Sequence, residues 1–296
     1  MHPDPTAAAS GSRWQRLRTG HFRAVTAVLA GATATAALML APAAASAATS
    51  PKAAHHSATA ATVTPVTQHP TVRSCALPTR PGVMSCDALR RTDIKGVREA
   101  ALAAAAATPS GYGPASLDSA YKLSATGGSG QTVAVVDAMN DPNAAADLAV
   151  YRSQFGLPAC TVASGCFRQV NENGATSPLP AGDTGWAGEE SLDVDMVSAI
   201  CPLCHIILVE ANSATNADLY QAENEAVALG AKFVSNSWSG GDYPGEAAYD
   251  KYFNHPGVAI TVASGDFGYG AGYPASSQFV TSVGGTYLNQ IGRAHV

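Results

Sequence analysis

From residue 131 onward the chain alternates unbroken apolar runs with amphipathic stretches, and that alternation limits its possible folds more than any other feature. The runs 132–136, 206–209 and 258–263 are continuous in apolar or β-branched residues, the pattern of strands buried on both faces, and 233–237 and 279–283 each open on Phe-Val before polar residues enter. Between them lie helical stretches: an Ala-rich one ending near Phe155, then 188–200, 217–229 and one near 247–253. The order predicts an α/β protein, a doubly wound parallel sheet with helices on both faces. In such sheets chemistry gathers at the carboxyl ends of the strands, where Asp137, Glu210, Ser237 and Asp266 fall.

The helix over 188–200 carries the most distinctive side chains. On a helix, Glu189 and Asp193 share a face with Met196, Val197 and Ile200, so two carboxyls sit in the apolar stripe. Glu190 and Asp195 are expected to point elsewhere, as surface carboxylates do. Like charges four residues apart on a desolvated face oppose each other, which raises at least one pKa and suits proton transfer. The bland alternative is a first-turn position, where any acidic residue is favoured by the helix dipole.

The amino end belongs to no core. Arg13, Arg16, Arg18 and Arg23 precede an Ala/Val/Leu run over 24–40, followed by Pro42 and the small-residue site Ala45-Ser46-Ala47. This reads as a secretory signal peptide over 1–47, leaving a secreted chain with no membrane segment after its removal. Residues 48–110 read as a linker or short pro-segment: Ala, Thr, His and Pro dominate at first, then a helix is expected over 93–107. Six cysteines fall in local pairs, Cys75 with Cys86, Cys160 with Cys166 and Cys201 with Cys204, which in an oxidising compartment suggests disulfides. Cys201-Pro-Leu-Cys204-His205 also fits the c-type haem attachment pattern, but a helix-to-strand turn stapled by its own disulfide is the simpler account. No second Cys/His pair completes a zinc site. The net charge of -5 and the absence of a basic, aromatic-laced stripe argue against nucleic acid as a partner.

Two further segments carry chemistry. Val-Ala-Ser-Gly-Asp (262–266) ends a strand in a Gly-rich turn and sets the carboxyl of Asp266 at the active edge. Ser-Asn-Ser-Trp-Ser-Gly-Gly (235–241) is a strand end with free backbone groups suited to pairing an extended peptide, so Ser237, Trp238, Ser239 and Gly240 are expected to bind substrate. Tyr-Pro-Ala-Ser (273–276) and Val-Gly-Gly-Thr (283–286) complete the series without an obviously reactive side chain.

Taken together, these segments resemble subtilisin-like peptidases in order and spacing. A subtilisin, however, carries His-Gly-Thr-His where this chain has Gly-Glu-Glu-Ser-Leu-Asp, and neither His205 nor His255 is followed by Gly-Thr. The resemblance is therefore to the sedolisin family, the serine-carboxyl peptidases, over roughly residues 110–289. It implies a subtilisin-like fold and acid-active endopeptidase chemistry on polypeptide substrates. Glu189 would be general base to a serine, Asp193 would orient it, and Asp266 in its acid form would donate to the oxyanion; Phe267 stands where that family more usually has Ser.

The family's nucleophile, in a Gly-Thr-Ser motif, and the calcium site beyond it have no counterpart in these 296 residues. The expectation is a peptidase domain whose carboxyl-terminal part is missing, with its amino-terminal portion over 111–289. Residues 290–296 would be an appended, artefactual tail. Such a chain is expected to be inactive, monomeric and without a cofactor of its own. The reading from another class is a secreted, non-catalytic protein that keeps the peptide groove for recognition.

Overall fold

The computed structural model describes residues 69–93, 111–124, 126–266 and 269–285. The signal peptide, most of the linker, the helix expected over 93–107, Phe267 and the tail lie outside the described residues.

Two small strand pairs flank a six-stranded sheet. Strand β1 (Thr71–Arg73) pairs antiparallel with β3 (Leu89–Arg91), and between them β2 (Ser85–Cys86) pairs antiparallel with β8 (Trp238–Ser239). The large sheet contains β4 (Thr132–Ala138), β5 (Phe167–Asn171), β6 (His205–Ala211), β7 (Phe233–Asn236), β9 (Ala259–Ala263) and β10 (Thr281–Val283). Its order is β10-β9-β7-β4-β6-β5, and every neighbouring pair is parallel. From β4 the chain runs to the β5 edge, returns to β6 beside β4, and then crosses to the other side through β7, β9 and β10, so β4 and β7 flank the switch point where α/β sheets open a crevice.

The continuous apolar runs resolve into two buried faces. Ala134, Val136 and Ala138 of β4, with Ile207, Val209 and Ala211 of β6, join Leu219, Ala222 and Ala226 of helix α4 (Asn216–Ala228) in one core. Val135, Ile206 and Leu208 point the other way, against Leu148 of α2 (Ala144–Gln154) and Val194 of α3 (Thr184–Ile200). Burial on both sides explains why the strands read as unbroken rather than alternating. The remaining helix, α1 (Pro114–Tyr121), starts at a proline whose missing N–H costs nothing in a first turn.

Strand and helix boundaries differ from expectation by a few residues, with several larger departures. The stretch near 247–253 is a 3-10 helix, Glu246–Tyr252. The edge strand β5 was not expected, because Phe-Arg-Gln-Val-Asn mixes polar and apolar residues. Helix α3 begins four residues earlier than the expected 188, since Asp183 caps it: its Oδ1 accepts from the amides of Gly185 (2.8 Å) and Trp186 (3.0 Å).

All six cysteines pair as their spacing suggested. Cys75–Cys86, Cys160–Cys166 and Cys201–Cys204 are disulfides with Cα separations of 5.4, 4.9 and 5.4 Å. The last leaves no thiol for a haem, and Gly128, at φ +82°, packs so closely on it that a Cβ there would collide with both sulfurs.

Candidate active site

The strand register builds the site. Asp137 on β4 stands opposite Glu210 on β6, and by the two-residue alternation both share the face of Val135 and Leu208, the face covered by α3. Helix α3 brings Glu189, Glu190 and Asp193 to that end of the sheet, so together with Glu210 four carboxyl groups act electrostatically on Asp137. Asp137 is fully buried, and neither of its oxygens has a hydrogen-bond partner among the described residues. Burial, and then the charges of Asp193, Glu189, Glu190 and Glu210, push its carboxyl well above the usual range.

Toward the outer edge lies the pair expected from sequence. Glu189 is buried, and its Oε2 accepts the backbone amide of Ala88 at 2.5 Å. Burial and the neighbouring Asp193 raise its carboxyl, against the amides of Ala88 and Asp87, which favour the ionised form. Asp193, half-buried, accepts from Ser237 Oγ at 2.9 Å; burial raises it too, and the serine hydroxyl works the other way. Two carboxyls raised together titrate as a unit, so near neutral pH the pair holds on to a proton that isolated carboxylates would have lost.

The helix does not present the stripe expected from its spacing. Glu190 is not a surface carboxylate: it is completely buried, its Oε2 accepting the amide of Asp141 at 2.9 Å beside Glu210. Asp195 is half-buried as well, pushed up to about 7 by burial and by Asp147. Ile200, by contrast, is exposed, because α3 buries Trp186, Glu190, Val194 and Ser198 at one-turn intervals and its contact face is rotated accordingly. Neither Glu189 nor Glu190 is in the first turn, where the dipole reading would have put them. Gln169 completes this inner group, donating to Glu210 Oε1 (2.7 Å) and to the carbonyl of Asp141 (2.8 Å).

The expected peptide-binding segment is not free. Ser239 and Trp238 are paired with Ser85 and Cys86 of β2, and the carbonyl of Ser237 accepts from Asp87 N at 3.1 Å. Ser239 Oγ donates to Asp87 Oδ1 at 3.1 Å. The side chain of Trp238 belongs to the core rather than to a groove: it is wholly buried, and its indole N–H donates to the Val136 carbonyl at 2.8 Å. Gly240 gives its amide to the Tyr273 carbonyl, and Met84 lies so close that a Cβ at 240 would meet its sulfur at 2.7 Å. Asp266 follows β9 on an exposed turn, near enough for its charge to raise Asp87. Burial is the larger influence on Asp87, which is pushed up to about 6.

Sequence reading missed the inner group and the role of residues 82–88. The signals were a Glu-Glu doublet, of which only one member was assigned inward, and a cysteine pair closing a loop just before Asp87. Among the described residues no cluster of three or more His, Cys, Asp or Glu is arranged to hold a metal ion.

No family model matches the chain, and no curated protein matches it. Among solved structures it is similar to Pseudomonas sedolisin, a serine-carboxyl proteinase complexed with two molecules of pseudo-iodotyrostatin, at 24% identity and a TM-score of 0.50. That alignment covers 62% of this chain and 56% of the sedolisin chain, so the match spans little more than half the length of the relative. Fervidolysin from Fervidobacterium pennivorans, a keratinolytic enzyme related to subtilisin, matches at 20% identity and a TM-score of 0.34, over 53% of this chain and 24% of its own. The prenylagaramide maturation protease PagA matches at 19% identity and a TM-score of 0.33, over 57% of each chain. The first of these likenesses supports the subtilisin-like α/β fold, which the sheet order already describes.

Proposed function

We propose that the chain carries the peptide track and the carboxyl machinery of a secreted, acid-active endopeptidase of the serine-carboxyl type. The observation that supports this most is the contact of Glu189 with a backbone amide of an extended strand lying on Ser237–Ser239, one turn from an Asp193 held by Ser237. A carboxylate there can take the proton of an attacking hydroxyl and pass it to the departing amide nitrogen. Asp193 orients Glu189 and retains the shared proton, and Asp266 is the donor to the oxyanion. Polypeptides are the substrates, the working form is a monomer, and nucleic acid is no partner.

The nucleophile in this reading is a serine of a Gly-Thr-Ser motif, which these 296 residues do not contain. Ser237 does not take its place in this reading, because the resemblance assigns its segment to substrate binding. Calcium, which the resemblance assigns beyond that motif, enters no step. Export fits the three disulfides, and no described helix is long and apolar enough to cross a membrane.

The missing motif favours one other reading, a secreted peptide-binding protein without catalysis. Peptide digestion at about pH 4 separates the two. A form of the protein carrying a Gly-Thr-Ser segment cleaves peptides by the first reading and loses cleavage in Glu189→Gln. By the second it binds peptides and cleaves none.

A further inference from the structure

The acid/base pair has a neighbour on its own helix that the proposed chemistry does not use. Glu190 is completely buried, and its Oε2 shares one backbone amide, that of Asp141, with Glu210 Oε1, at 2.9 and 3.1 Å. Two carboxyl oxygens drawn onto a single N–H crowd together, and two full charges are not held there out of water. The donors around them tell which member is ionised. Glu210 receives Gln169 Nε2 at 2.7 Å besides that amide, and the Asn140 orientation that satisfies it puts the amide nitrogen 2.9 and 3.0 Å from its two oxygens. Glu190 has the Asp141 amide on one oxygen, while its Oε1 is buried without a hydrogen-bond partner among the described residues. Such an oxygen is accounted for when it carries a proton and is itself the donor. Glu190 is then the acid and Glu210 its carboxylate.

This pair joins three elements. Glu190 belongs to α3, Glu210 lies near the end of β6, and Asp141 sits in the turn between β4 and α2. Ser191 Oγ donates to Asp141 Oδ2 at 3.0 Å, so α3 grips that turn at two successive residues. Met139, two residues before Asp141, is held at φ +69°, a left-handed conformation that a side chain other than glycine adopts only where its surroundings maintain it. The charged neighbours are of one sign. Asp141 acts on both members from the turn; Asp137 of β4 is acted on by both, as it is by Glu189 and Asp193 of α3; and Asp147 of α2 adjoins Asp141. Strand β5 contributes the neutral Gln169. No lysine, arginine or histidine is among the groups that shift these two carboxyls. Burial, then Glu210 and Asp141, raise Glu190; burial raises Glu210 as well, with Gln169 and the Asp141 amide working the other way. Loss of the shared proton leaves two adjacent buried anions with no cation to offset them, and drives the helix that carries one of them outward.

We infer that Glu190 and Glu210 share one proton and act as a clamp that seats α3 against the end of the sheet, which makes Glu190 a positioning residue for Glu189 and Asp193. The inference rests on the peptidase reading only for the purpose that this seating serves. Its test is NMR of the full chain, following the amide protons of Asp141 and Ala88 from about pH 5 to about pH 10. Asp141 reports the clamp, and Ala88 reports the contact of Glu189 with its strand. In the unaltered chain the Asp141 amide is expected to titrate, and over the same range the Ala88 amide, once Glu189 has ionised, to return toward its random-coil shift. Glu190→Gln, whose amide donates to Glu210 without titrating, is expected to keep Ala88 in its hydrogen-bonded position up to about pH 10. Glu190→Ala removes the charge without rebuilding the clamp, and should show a random-coil-like Ala88 shift throughout while its circular dichroism stays folded. An Asp141 amide that ignores pH overturns the inference, and so does an Ala88 profile shared by the unaltered chain and Glu190→Gln; both readings hold even if the alanine variant does not fold. Identical profiles for folded alanine and glutamine variants overturn it too, because removal of charge alone would then account for the effect. Failure of a form bearing the Gly-Thr-Ser segment to cleave peptides would refute the peptidase reading alone, since the amide shifts require no cleavage.

Discussion

Trp238 separates a residue's place in the sequence from its work in the molecule. Its motif suggests substrate contact, but only its backbone pairs with β2; the indole is buried and tied to Val136. Trp238→Phe is expected to lower stability by about 1–2 kcal/mol in urea denaturation, from the lost hydrogen bond and lost volume. Peptide affinity should hardly change; a tenfold loss of affinity with unchanged stability would show that the side chain contacts peptide after all. Glu223 makes a complementary case. It is fully buried on α4, and burial pushes its carboxyl up to about 8, with the nearby Asn236 working the other way. Because the fold prefers its protonated form, Glu223→Gln is expected to leave the melting temperature unchanged near pH 4 and to raise it near pH 8. An equal shift at both pH values would mean that Glu223 does not titrate in the native range.

At the scale of elements, α3 depends on its first residues as much as on its packing. Asp183 accepts two otherwise unpaired amides, so Asp183→Ala should cost about 1 kcal/mol and loosen the turn that leads to Glu189. Amide exchange at Gly185 and Trp186 reports this directly, and unchanged exchange there would argue that the cap is dispensable. The parallel sheet was legible because burial on both faces leaves continuous apolar runs, as in β4 and β6. The Glu189–Asp193 pair was legible from its four-residue spacing on one helix. Glu190 was not, because a helix wedged against a sheet end and a second helix buries more than one stripe, and a 3.6-residue period cannot say how wide the contact is. Strand β2 escaped for another reason: two residues held by a partner more than 150 positions away leave no local pattern.

Across the whole molecule, burial raises carboxyl after carboxyl: Asp87, Asp137, Glu189, Glu190, Asp193, Glu210 and Glu223. In each case the folded chain binds a proton more tightly than the unfolded chain, whose carboxylates titrate near about 4. Their contribution to stability is therefore complete below that range and is lost as pH rises through the folded values, about 6 for Asp87 and about 8 for Glu223. The melting temperature is expected to fall by at least about 5 °C between pH 4 and pH 8, and a flat or rising profile would contradict the buried-acid description. A fold stabilised by protons is in keeping with the acid-active chemistry proposed above. The account turns on Glu189 being a proton-binding group in contact with a peptide strand, and the chemical shift of the Ala88 amide proton, followed by NMR against pH, reports both properties at once. It is expected to titrate with a midpoint well above the ordinary glutamate value of about 4.3, and to lose that titration in Glu189→Gln. An Ala88 amide that ignores pH, or that follows a midpoint near about 4.3, would contradict the account.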